Sequence, residues 1–231
     1  MLRPLALLVL IASPARAETI RFDLVLRGVT GGQVALAADV AGGRYAVTGR
    51  AQGTGVVGTL VRYSYEGSAT GELVAGAPRS ERYVEVETGR RGRFETTTTF
   101  TGGRVVSAVV APTPERDPWD IDPVGQRGID PLSALWDLTR TVPADGVCTR
   151  GWNLFDGQRL SRLKLSGWRV VDGRSICDAT YTRIAGYSPD ELSRRDGTRF
   201  TITYAPVGDG MVRAIEMRAD TRLGPAVMRL R

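Results

Sequence analysis

Apolar and polar side chains alternate in the stretch Thr19-Ile20-Arg21-Phe22-Asp23-Leu24-Val25-Leu26-Arg27, which decides the fold. Such alternation is typical of a β-strand with one face buried. Gly31-Gly32 follows shortly after, and Gly42-Gly43 comes eleven residues later. Short alternating runs separated by glycine pairs predict strands joined by tight turns, and so an antiparallel meander.

The same alternation continues along most of the chain. Gly102-Gly103, Asp156-Gly157 and Asp172-Gly173 predict further tight turns. The β-branched run Thr96–Thr99 indicates a solvent-facing or edge strand. The predicted strands after the first are 33–40, 44–51, 60–65, 80–88, 93–100, 104–111, 152–155, 160–165, 175–185, 198–204, 212–221 and 226–230.

One segment between these strands predicts a helix. Residues 112–128 carry four prolines and form an irregular connection that leads to Asp130. Asp130 is a good N-cap and Pro131 occupies a position where a helix tolerates proline. Leu132, Leu135 and Trp136 share one face, so we expect a helix over 130–140 that packs against the sheet. The predicted fold is therefore mainly β: a strongly curled antiparallel sheet, or incomplete β-barrel, of about ten to twelve strands.

The N-terminus has the three parts of a secretory signal peptide. A basic Met1-Leu2-Arg3 start precedes an apolar run over 5–12 and the small-x-small site Ala15-Arg16-Ala17. Such a short run cannot cross a bilayer core, which needs about 20 residues. We expect cleavage after Ala17, a single β-rich domain over 18–231, no integral membrane segment and a periplasmic location.

Cys148 and Cys177 are the two cysteines. In an oxidising compartment an even pair predicts one disulfide, and two buried free thiols are the alternative. The net charge is +6, but the basic residues are scattered and Lys164 is the single lysine. A nucleic-acid surface needs a concentrated basic stripe, so no nucleic-acid partner is expected.

The residue types argue against most enzyme chemistry. The absence of histidine removes the commonest general base and most zinc sites. Asp117, Asp120 and Asp122 crowd one proline-rich loop, yet their spacing fits no calcium loop, so a solvated loop is favoured over a metal site. Asp156 and Asp172 each precede glycine and are read as turn formers. We predict no catalytic residue, no cofactor and no metal.

Aromatic and apolar residues around the predicted helix suggest a binding surface. A groove beneath the 112–128 loop would suit an acyl chain or an extended peptide. Filling of the core by the same tryptophans is the alternative. The candidate residues for this ligand or partner surface are Trp119, Trp136, Trp152, Leu132 and Leu135.

Several short motifs together resemble the DUF3108 family. They are the helix start at 130–135, the Phe155-Asp156-Gly157 turn, the Cys177-x-x-x-Tyr181-x-Arg183-x-x-Gly186 segment and the closing hairpin at Gly224. The resemblance implies an exported protein of the bacterial envelope with no assigned activity. A looser likeness to curled-sheet carriers of lipids and lipoproteins rests on architecture alone.

The sequence thus predicts a non-enzymatic protein that binds an apolar ligand, a lipid or an envelope polypeptide. Two alternatives come from other classes. One is an assembly factor that acts through an edge strand, and the other is a carboxylate-based glycan hydrolase.

Overall fold

The computed structural model describes residues 18–55, 63–90, 92–193, 197–221 and 224–231. Two α-helices are described, α1 (Pro131–Thr139) and the short α2 (Pro189–Ser193), with a 3-10 turn at Val147–Thr149. The fourteen described strands are β1 (Glu18–Leu26), β2 (Val29–Ala41), β3 (Arg44–Gly53), β4 (Ser64–Val74), β5 (Ala77–Gly89), β6 (Gly92–Thr101), β7 (Arg104–Ala111), β8 (Val142–Pro143), β9 (Gly151–Phe155), β10 (Leu160–Val171), β11 (Arg174–Ala185), β12 (Thr198–Gly208), β13 (Met211–Thr221) and β14 (Gly224–Leu230).

All strands belong to one antiparallel sheet. The order is β7-β6-β5-β4-β3-β2-β1-β14-β13-β12-β11-β10-β9, and β8 pairs with β13. The strand path is not closed, but residues 125–129 lie between its two edges. Gly125 donates to the Val105 carbonyl of β7 and Gly128 to the Gly103 carbonyl of the β6–β7 turn, while Ile129 donates to the Asn153 carbonyl of β9 at 2.9 Å. The predicted mainly β fold with a curled, incompletely closed sheet is confirmed.

The fourteen described strands exceed the expected ten to twelve. Of these strands, β8 was not predicted, and β4 is longer than predicted. Only residues 64 and 65 of β4 belonged to a predicted strand, and residues 60–62 lie outside the described residues. Small and polar residues dominate Ser64–Val74, so its alternation is weak. The prediction for Thr96–Thr99 was wrong in part, because Thr96 and Thr98 are buried.

The hairpin turns explain the meander, with one correction. Arg27-Gly28, Asp172-Gly173 and Asp209-Gly210 each place two successive residues at positive φ, as two-residue hairpins require. Gly31-Gly32 was predicted as a turn but lies inside β2, opposite an irregularity in β1 between Leu24 and Val25. A Cβ on Gly32 would lie 2.9 Å from the Gln52 carbonyl oxygen, so close strand approach explains this glycine.

Helix α1 forms where predicted and is anchored at both ends by aspartates. Asp130 is buried and accepts from the Ser133 backbone N–H at 2.7 Å and from the Ser80 hydroxyl at 2.5 Å. These bonds form the N-cap and fix the start of the helix to β5. Burial raises the pKa of Asp130.

Near the other end of α1, three side chains donate hydrogen bonds to the Asp137 carboxylate. The Arg140 and Arg150 guanidinium groups lie 2.6 and 2.9 Å from its carboxylate, and the Trp152 indole N–H donates to it at 3.1 Å. These contacts tie the last turns of the helix to β9 and to the segment before it.

The inside of the curl is filled next to the helix. One core cluster contains Ala134 and Leu138 of α1, and a second contains Leu132 and Trp136, so the helix contributes to both. The predicted disulfide between Cys148 and Cys177 is confirmed, and both cysteines lie in the first cluster. It joins the 3-10 turn to β11.

The register gives the sheet two distinct ends. Turns after β2, β4, β6, β10 and β12 lie at one end, where the Arg140 guanidinium of the helix segment donates to the Gly76 carbonyl at 2.7 Å. We call this the helix end. Turns after β1 and β5 lie at the opposite end, which we call the open end.

No helix among the described residues is long and apolar enough to span a membrane. The predicted signal peptide, residues 1–17, lies outside the described residues.

Candidate functional site

An apolar cleft of about 420 Å³ lies at the open end, between β1, β14, β13 and β12. Arg218 is the one charged residue in its wall. The other lining residues are Leu24, Val25, Leu26, Gly31, Phe200, Met217, Ala219, Ala226, Val227 and Met228. Pockets for small ligands are usually about 300 to 1,000 Å³ and mostly apolar, so this cleft has the size and lining of a binding site.

The cleft follows from strand register and from side-chain size. Ala219 of β13 lies directly opposite Ala226 of β14, and Met217 lies opposite Met228 in the next pair on the same face. Residues directly opposite share one face of a sheet, so two small side chains leave space beside two long flexible ones. Met217 packs against the first core cluster and Met228 against the second. The cleft is therefore the unfilled continuation of the core towards the open end.

The ligand surface predicted around the helix is not formed as expected. Leu132, Trp136 and Trp152 are buried core residues, with exposed fractions of 2, 2 and 9%. Leu135 is half-buried and packs against the second cluster. These side chains fill the curl because α1 lies inside it, which was the alternative interpretation of the tryptophans.

Trp119 is placed differently, in a second and polar groove of about 560 Å³. This groove also lies towards the open end, beside the β5–β6 turn. The 112–123 loop supplies one wall, and β5, β6 and the turn after β9 supply the others. Its acidic lining residues are Glu85, Glu87, Glu115, Asp117, Asp120 and Asp156, and its basic ones are Arg90 and Arg159.

Glu85 is an acid of the polar groove with a strongly raised pKa. Burial raises its pKa to about 7, and the nearby Asp156 carboxylate adds to the rise. The Tyr83 hydroxyl donates to Glu85 and opposes this shift. Tyr83 in turn shares a hydrogen bond of 3.1 Å with the Tyr65 hydroxyl. A carboxyl group with such a pKa exchanges its proton near neutral pH, as a general acid must.

Asp156 forms the predicted turn and also faces this groove. Its Oδ1 accepts from the backbone N–H of Gln158 at 3.0 Å and of Arg159 at 2.7 Å. Burial raises the pKa of Asp156, and these two N–H groups oppose the rise. The groove thus places two acids with raised pKa values beside each other.

The aspartates of the 117–122 loop bind backbone groups of their own loop. Asp120 accepts from the Asp117 N–H at 2.9 Å, and Asp122 accepts from the Val124 N–H at 2.9 Å. Within the described part of the chain, no group of three or more acidic, histidine or cysteine residues is arranged to hold a metal ion.

Sequence reasoning missed the cleft residues and Glu85. Alternation within β1 and β14 does indicate which side chains face inward, and Leu24 and Met228 follow that signal. Alternation does not show which strands become neighbours in the sheet, and the cleft depends on those neighbours. Glu85 gave no signal, because its raised pKa depends on burial in the folded chain and on Asp156, which is distant in sequence.

Comparisons with known proteins identify no family. No model of a protein family matches the chain, and no curated protein matches it. Among solved structures, the chain is similar to a β-barrel-like protein of a domain of unknown function, DUF1849, from Brucella abortus. Identity is 12%, the TM-score is 0.47, and the match covers 94% of this chain and 98% of the other. The resemblance to the DUF3108 family stays a prediction.

Proposed function

We propose that the protein is a non-enzymatic binding protein that works outside the cytoplasm and holds the acyl chain of a lipid or another elongated apolar ligand. The observation that carries the proposal is the cleft at the open end, whose wall is apolar apart from Arg218. The Cys148–Cys177 disulfide supports the compartment, because such bonds persist mainly in oxidising environments.

The energetics of the cleft suit a reversible ligand. Each methylene removed from water contributes about 0.8 kcal/mol, so ten methylenes contribute roughly 8 kcal/mol before the costs of binding. The long, flexible Met217 and Met228 side chains can adapt to ligands of different shape. Arg218 would lie beside an anionic headgroup. Binding should therefore be reversible and tolerant of chain length.

The test is ligand binding by the purified protein with a fluorescent fatty acid, together with mass spectrometry of organic extracts. Ala219→Phe and Ala226→Phe each place a ring in the cleft and should weaken binding at least tenfold. Val109→Phe is the matched control, because Val109 is exposed on β7 away from the cleft. Extracts without lipid together with no binding of the fatty acid would overturn the proposal.

A second candidate function, a carboxylate-based glycan hydrolase, rests on the polar groove. Glycosidases need two carboxyl groups about 5 to 10 Å apart, one of them with a raised pKa. Glu85, with a pKa of about 7, beside Asp156 fits the chemical part of that requirement. Release of sugars from bacterial cell-wall glycan by the wild type, abolished in both Glu85→Gln and Asp156→Asn, would favour this candidate over the binding protein.

The edge-strand alternative is restricted by the 125–129 segment. Its hydrogen bonds to β7 and β9 occupy backbone groups that a partner strand would need. An assembly factor that acts through an edge strand is therefore less well supported than the binding protein or the glycan hydrolase.

A further inference from the structure

Two of the four methionines of the chain face each other in the wall of the apolar cleft. Met217 of β13 lies directly opposite Met228 of β14, and both side chains are half-buried. Opposite residues of an antiparallel pair have Cβ atoms about 4.5 to 5.5 Å apart, so the two thioethers line the same part of the cleft. Met211, by contrast, begins β13 at the helix end. The cleft thus holds a pair of sulfur atoms within reach of small solutes that enter it.

The thioether of methionine is a group that a peroxide converts from apolar to polar. The sulfur lone pair attacks one oxygen atom of hydrogen peroxide, the O–O bond breaks, and the other oxygen leaves as water. The sulfur loses two electrons and becomes a sulfoxide, while the peroxide gains the same two electrons. Both cysteines are already joined in the Cys148–Cys177 disulfide, so the methionine sulfurs are the groups that peroxide oxidises most readily.

A sulfoxide in this wall would lie where the ligand has to pack. Its oxygen is a hydrogen-bond acceptor, yet apart from Arg218 no lining side chain of the cleft carries a donor. An apolar ligand would have to remove water from the sulfoxide oxygen without replacing its hydrogen bonds, and such a removal is unfavourable. Because Met217 and Met228 are direct neighbours, a sulfoxide on either strand interrupts the apolar wall.

We propose that Met217 and Met228 are an oxidation site that controls the cleft: a peroxide converts them to sulfoxides, and the cleft then releases its apolar ligand. The inference rests on the proposed binding function, because it concerns the same cleft. The two methionines only border the core clusters, whose buried members include no methionine, so the fold should persist after oxidation. Methionine sulfoxide reductases return the thioether, with the oxygen leaving as water and two electrons coming from a dithiol, so the loss of binding is reversible.

The experiment treats the purified protein with hydrogen peroxide and locates the added oxygen atoms by peptide mass spectrometry. Binding of the fluorescent fatty acid is then measured, with circular dichroism as the check on the fold. We expect sulfoxides at Met217 and Met228, an unchanged spectrum and at least a tenfold loss of affinity. Fatty acid bound beforehand should slow the oxidation of these two methionines and not that of Met211, because the ligand covers only the sulfurs of the cleft.

Two variants identify the sulfurs responsible. Met217→Leu combined with Met228→Leu removes both cleft sulfurs and keeps the wall apolar and similar in volume, so this double variant should bind the fatty acid before and after peroxide. Met211→Leu is the matched control, because it removes a half-buried sulfur at the helix end, outside the cleft. Peroxide should lower fatty-acid binding in this control as much as in the wild type.

Three results would refute the oxidation site. The first is full affinity for the fatty acid in wild-type protein that carries both sulfoxides. The second is an equal loss after peroxide in the double leucine variant, and the third is oxidation of Met211 without oxidation of the cleft methionines. In each of these cases the untreated protein still binds the fatty acid, so the proposed binding function stands. Absence of fatty-acid binding in the untreated protein would instead refute the binding function, and the oxidation site with it.

Discussion

Replacement of Asp137 by asparagine should be the most destabilising single charge change near the helix. The Asp137 side chain is only 5% exposed and pairs with Arg140 and Arg150, which are 21 and 19% exposed. Removal of one partner from a buried ion pair typically costs about 3 to 5 kcal/mol, because the remaining charge is left buried. Both arginines keep some access to water, so we expect a loss near the lower limit, about 3 kcal/mol in the free energy of unfolding.

Urea unfolding followed by circular dichroism measures this loss. With a slope of about 2 kcal/mol per molar urea, Asp137→Asn should move the midpoint down by roughly 1.5 M. Glu216→Gln is the control, since Glu216 pairs with the exposed Arg229 and such surface pairs contribute about 0 to 1 kcal/mol. A loss in Asp137→Asn no larger than that in Glu216→Gln would refute the view that this ion cluster holds α1 in the curl.

Three other changes test separate features. The pKa of Glu85 is about 7 in the folded state and about 4.5 ordinarily, so the folded state binds the proton more tightly than the unfolded state. The free energy of unfolding should therefore fall as pH rises from 4.5 to 7. In thermal melts, Glu85→Gln should reduce that fall. Gly49→Ala should cost about 1 to 3 kcal/mol in urea unfolding, since its Cβ would lie 2.5 Å from Leu132 Cδ1, and adding Leu132→Ala should make the two losses non-additive. Replacement of both Cys148 and Cys177 by alanine opens a loop with a sequence separation of 29 and should cost roughly 3 to 4 kcal/mol, whereas an unchanged midpoint in urea would contradict a stabilising disulfide.

The sequence predicted those elements that are determined by residues adjacent in the chain. Asp130 and Pro131 specify the start of α1 through the cap and the fixed φ of proline, and the structure has the helix there. Asp172-Gly173 likewise specifies a two-residue turn. The prediction of a turn at Gly31-Gly32 was wrong, because adjacent residues alone do not determine the role of this pair. Glycine serves both a turn and a close strand approach, and only the position of Gln52 on β3 decides between them.

The candidate sites depend on long-range placement, so the sequence predicted little of them. Trp119 was expected beside Trp136, but a helix inside the curl buries Trp136 and leaves Trp119 at a groove with Glu85. Apolar alternation in β13 and β14 predicts which side chains face inward. It does not show whether other side chains pack over them. The large residues of α1 cover the helix end, and nothing of similar size among the described residues lies over Ala219 and Ala226.

The position of α1 also gives the two ends of the curl different interiors. The helix lies across one end of the curl, where its residues fill the interior. At the other end the interior is lined by alanine and methionine, so free volume remains there. Ala226→Phe should therefore weaken fatty-acid binding at least tenfold, while Trp168→Ser, at an exposed residue of the helix end, should leave it intact. Equal loss of binding in both variants, or full binding in Ala226→Phe, would mean that the ligand does not occupy the cleft, and the proposed site would be wrong.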